Sequence, residues 1–249
     1  MDSPGAVLVL SLIGLWVSAQ IGAFFRKKTK LLEEDERQDF DVVLAATLTL
    51  LGLIIGFSFS MVITRYDQRK NYEEEEANAI GTEYVRADLL PAADAAKVQD
   101  LLKQYLEQRI LFYETRDGDE LERINTRTGQ LQAAMWSVVQ ADAAKQPTPT
   151  MALVTSGMND VLNSQGYTQA AWWNQFPLAA WGLLFAIAIM CNLLIGYGAR
   201  RRSQILFSTL PIAVSISFFL IADISSPRQG LIKVIPQNLV SLPQSLRGQ

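Results

Sequence analysis

From Val42 to Thr64 the chain runs without a single ionisable residue, which leaves a helix across a lipid bilayer as the expected fold of that stretch. A hydrocarbon core of about 30 Å takes about 20 helical residues to cross. Every backbone N–H and C=O must be satisfied inside such a segment, so a helix is required. Three more stretches qualify: about Gly5 to Phe25, about Leu178 to Gly198 and about Ile205 to Ala222. The first ends on Arg26-Lys27-Lys28. It offers Val17-Ser18-Ala19 as a cleavage site but lacks the leading positive charge of a signal peptide, so it is read as a span. The fourth holds Pro211, whose missing N–H is expected to free the Phe207 carbonyl and kink the helix.

Between the second and third spans the pattern is helical and amphipathic. Val98, Leu101, Leu102, Tyr105 and Leu106 form one stripe, and Leu121, Ile124, Leu131, Met135 and Val138 a second. Met151, Val154, Met158 and Val161 form a third, with breaks expected at Pro91, Asp117-Gly118 and Pro147-Thr148-Pro149. From Arg65 to Leu90 there is no proline and one glycine, Gly81, so the second membrane helix is expected to continue as a rod of about 70 Å. Its Glu73 to Glu76 run reads as a solvated face.

The fold class is therefore an all-α integral membrane protein, with four transmembrane helices in two pairs and an intervening helical bundle domain. Residues 1–64 hold the first pair (5–25 and 42–64), 65–177 the soluble helical domain, 178–222 the second pair (178–198 and 205–222) and 223–249 a C-terminal tail.

Composition removes several function classes. With 22 basic and 25 acidic residues the net charge is -3, which offers no footprint for nucleic acid. There is no histidine, and the single Cys191 lies in an apolar run, so zinc sites, disulfides and Cys/His catalysis drop out. No phosphate-cradling glycine loop or nucleophile elbow occurs, and Asp117 and Asp119 read as turn chemistry beside Gly118. No enzymatic activity, cofactor or metal is expected.

Several segments carry a family resemblance. Leu51-Gly52-Leu53-Ile54-Ile55-Gly56-Phe57-Ser58-Phe59-Ser60 is followed by Arg65-Tyr66-Asp67, then by Glu76-Ala77-Asn78-Ala79-Ile80-Gly81-Thr82 with Arg86. Near the C-terminus come Asp223 and Pro227-Arg228-Gln229-Gly230-Leu231-Ile232. Together they resemble the family named for a bestrophin-like domain, over nearly the whole chain, although Asp223 to Ser226 is less charged than the family pattern. The resemblance implies kinship of layout with bestrophins, pentameric anion channels whose second membrane helix lines the pore.

Two readings of function follow. In the channel reading, copies form a homo-oligomer, a pentamer by resemblance, around the second helices, and small anions pass. Phe57 and Phe59 then supply bulk at a constriction, and Arg65 and Arg69, one turn apart, form a cationic ring. Alternatively the same arginines snorkel to lipid headgroups, and the chain is a membrane-anchored scaffold whose helical domain docks a partner. Tyr84, Trp136, Trp172 and Trp173 are candidate anchors for that docking. Trp136 reads first as core, and Trp172, Trp173 and Trp181 as an interfacial belt.

Ala45, Thr49, Gly52, Gly56 and Ser60 make a small-residue stripe suited to close helix packing, either between copies or within the chain. Glu76 belongs to the helical domain's contact set, and Asn78, Thr82 and Arg86 fall on one face that is either bonded to another helix or solvated. Asp223, Pro227, Arg228 and Gly230 mark a tail turn. Arg26, Lys27, Lys28, Lys30 and Arg37 in one short loop, and Arg200, Arg201 and Arg202 in another, place those loops in the cytoplasm by the positive-inside rule. Both termini and the helical domain of this cell-membrane protein are then outside it.

Overall fold

The structure, a computed structural model, describes residues 3–28, 33–199 and 204–247, without side chains at 204–206 and 245–247. Among these residues every regular element is helical. In chain order they are α1 (Pro4–Lys28), α2 (Glu34–Arg86), a 3-10 turn (Ala87–Leu89), α3 (Ala92–Glu114), α4 (Gly118–Lys145), α5 (Pro149–Trp173), α6 (Leu178–Gly198), α7 (Gln204–Ser225) and α8 (Gln237–Arg247). Among the described residues, four helical stretches are long and apolar enough to cross a membrane. The chain divides into two compact units, Met1–Arg65 with Gln175–Lys233, and Tyr66–Asn174 with Val234–Gln249.

In the first unit α1 is seated on α6 and α7. Small residues permit the α1–α6 approach. A methyl group added at Gly22 would strike the Leu193 carbonyl, and one at Gly196 the Ala19 carbonyl. Ala19, Gly22 and Ala23 line the buried face of α1, opposite Ala188, Asn192 and Gly196 on that of α6. Arg26 closes this contact by donating to the Tyr197 carbonyl at 3.0 Å, a cation at the carbonyl end of a helix. At the other end Trp181 is buried between Phe176 and Phe218, with ring centroids 5.3 and 6.0 Å away.

In the second unit the predicted breaks become helix starts. Pro91 precedes α3, the Asp117 carboxylate accepts from the Glu120 N–H to cap α4, and Thr148 caps α5 through Met151 N with Pro149 in its first turn. The three amphipathic stripes converge on one core that includes Val98, Leu102, Leu131, Met135, Val154 and Met158. Trp172 lies in this core, 4.9 Å from Phe112 and 5.4 Å from Tyr113 between ring centroids, and not in an interfacial belt. Trp173 is exposed, and Trp136 packs partly buried against the core.

Candidate functional site

Within the first unit, the α2 span is the least covered of the four. Only 11% of its most apolar window is buried, against 39%, 33% and 50% for the others. Gly52, Gly56 and Ser60 are exposed, and nothing lies within 4 Å of a methyl group built on either glycine. The stripe on α2 is thus not consumed by packing inside the chain; the close approach that small residues allow is spent on α1 and α6. Phe57 is 65% exposed and Phe59 38%. Arg65, at the end of this segment, is half-buried and donates to the Gln175 carbonyl just before α6.

The second unit holds a charged core. Arg69, Glu73, Glu76, Ile80, Glu83 and Ala87 recur at steps of four and three, which puts them on one helix face, and each is at most 2% exposed. This corrects two expectations. The Glu73 to Glu76 run is no solvated face, because Glu73 and Glu76 turn inward while Glu74 and Glu75 turn out. Arg69 is likewise interior, so it does not present a guanidinium to the outside of its own chain alongside Arg65.

Each inward acid meets a different environment. Glu73 receives Asn238 Nδ2 at 2.6 Å and the Leu239 N–H at 3.0 Å, a carboxylate at the N-terminus of α8. Glu76 is ion-paired with Arg109 of α3, both side chains fully buried, and also receives Thr168 Oγ1 of α5 at 3.1 Å. Arg109 lies over the Phe112 ring at 4.4 Å. Burial opposes the Arg109 charge most strongly, but the attraction and hydrogen bond of the Glu76 carboxylate, together with the Tyr105 and Tyr113 side chains, lift the guanidinium pKa above its ordinary value. Burial, reinforced by Glu76, pushes the phenols of Tyr105 and Tyr113 upward, so both stay neutral. Glu83 lies next to Arg86, and neither of its carboxylate oxygens has a hydrogen-bond partner.

Asn78 and Thr82 point outward and Arg86 is half-buried, so the bonded face of this helix is the one bearing the acids. The tail turn has a clear construction inside the first unit. Asp223 is 1% exposed, and its two carboxylate oxygens accept the N–H groups of Leu231 and Ile232 at 2.7 and 2.8 Å. Pro227 and Arg228 form the turn. Gly230 is required where it stands, because a side chain there would collide with the Asp223 and Ser226 carbonyls. Lys30 and Arg200, Arg201 and Arg202, on which the orientation rests, lie outside the described residues.

Among the described residues no group of three acidic, histidine or cysteine side chains is placed to hold a metal ion.

An all-helical, multi-pass membrane protein with this arrangement has known relatives. The Bestrophin-like domain model matches residues 7–239, and the chain belongs to that family. It is similar in fold to crystal structures of a bacterial bestrophin homolog from Klebsiella pneumoniae. One, a variant with a single leucine-to-threonine substitution, superposes with a TM-score of 0.64 at 14% identity over 96% of this chain and 98% of that one. Another, a variant with an isoleucine-to-alanine substitution, gives 0.65 at 13% identity over 98% and 96%. A third, solved by Zn-SAD phasing, gives 0.63 at 15% over 96% and 97%. No curated protein matches the chain.

Proposed function

We propose that the chain is one subunit of a homo-oligomeric membrane channel for small anions, assembled around α2. The observation that carries this reading is the coverage of α2: its own chain buries only 11% of the span and leaves Gly52, Gly56 and Ser60 free for another backbone. Family membership and the bestrophin-homolog fold support it, and five copies is the number the resemblance implies. Phe57 and Phe59 are the bulk available for a constriction. Arg65 is the first fixed charge along α2 beyond the uncharged stretch, and a ring of arginines favours anions. Glu76 does not oppose that field with a net charge, because Arg109 neutralises it.

The test is flux from liposomes. Purified protein is expected to release chloride faster than sodium, and Arg65→Gln to reduce that preference without abolishing flux. Absence of chloride flux across a range of voltage and pH overturns the channel and leaves the membrane-anchored scaffold, whose lipid contacts need no conduction.

A further inference from the structure

We infer that Glu83 is a proton-binding site, whose proton holds α2 against α5 at Gly157 and whose loss loosens that contact. The geometry is specific. Glu83 is fully buried, and both carboxylate oxygens lack any hydrogen-bond partner. An ionised carboxylate in that position would forgo water and gain no donor in return, whereas a neutral carboxyl is far cheaper to bury. Gly157 on α5 is what makes room: a methyl group there would collide with Glu83 Oε2 and with the Arg86 guanidinium. The α2 side chain therefore presses against bare α5 backbone, where a change of charge is felt at once.

The charged groups facing Glu83 oppose one another. Arg86, on the next turn of α2, favours the ionised form, and Asp160, one turn beyond Gly157 on α5, disfavours it. On α3, Lys103 sits over the Tyr84 ring, and Gln99 binds Asp88 and the Tyr84 carbonyl. The described side chains of α8, which reaches α2 through Leu242 against Gly81, include no ionisable group. Burial outweighs Arg86, and the Glu83 pKa is raised to about 8 from an ordinary 4.5. An acid whose folded pKa lies above its unfolded one stabilises the fold fully below the lower value. That contribution falls away as pH climbs to the upper one, so the working window runs from about 4.5 to about 8.

The experiment uses the full chain in detergent, with melting temperature and infrared spectra recorded between pH 6 and pH 9. The wild type is expected to melt lower as pH rises. It should also lose a protonated-carboxyl C=O band with a midpoint near 8. Glu83→Gln should flatten the melting profile over this interval and remove the band. Asp160→Asn should move the band's midpoint to lower pH and Arg86→Gln to higher pH, and these shifts decide the matter if the glutamine variant does not fold. The inference is overturned by a glutamine variant that keeps the wild-type slope, or by a band that neither neighbouring substitution moves. It is also overturned if added calcium or magnesium raises the melting temperature at pH 9 in the wild type but not in Glu83→Gln, which would mark a metal site.

Discussion

The second unit is organised residue by residue around charge that has left water. Glu76 and Arg109 are both fully enclosed, and desolvating such a pair costs about as much as its attraction returns, so the pair specifies geometry more than it adds stability. Breaking it is another matter. Arg109→Met or Glu76→Gln alone is expected to cost about 3–5 kcal/mol, by stranding the partner in a dry core. The double variant should recover much of that, and a thermal melt of all three reads the difference. The sequence concealed this core because Glu73 to Glu76 looks like one acidic block. The usable signal was spacing: Glu73, Glu76 and Glu83 share a helix face with Ile80 and Ala87, two residues that belong inside. Asp223 was legible only as part of a motif. Its role came into view when the tail brought the backbone N–H groups of Leu231 and Ile232 to its carboxylate.

Among the helices, the membrane spans and the starts of α3, α4 and α5 were readable because length, hydropathy and proline or cap residues act locally. Which helices touch was not readable, because small residues at steps of three and four occur on α1, α2 and α6 alike. Only the packing shows that Gly22 and Gly196 are occupied by a neighbour while Gly52 and Gly56 are open. The two sets should therefore respond differently to leucine. Gly22→Leu or Gly196→Leu is expected to prevent the α1–α6 approach and abolish folded protein in detergent. Gly52→Leu with Gly56→Leu should leave the monomer fold intact and lower the oligomer fraction in native mass spectrometry. Equal loss of folded protein in both sets would contradict the assignment.

For the whole molecule, the membrane orientation rests on basic loops that charge, not packing, governs. Reporter fusions at Gly118 and after the last residue are expected to read outside the cytoplasm; a cytoplasmic signal at both positions would reverse the orientation. In the proposed channel, copies of this chain meet through the face of α2 that carries Gly56. A single engineered cysteine tests it in native membranes, since the natural Cys191 is buried. Bismaleimide treatment of Gly56→Cys should give a covalent dimer, whereas Leu10→Cys on the exposed side of α1, 69% accessible, should give none. A Gly56→Cys protein that stays monomeric under the same treatment, while still reacting with a small maleimide, would show that lipid and not a second copy covers α2.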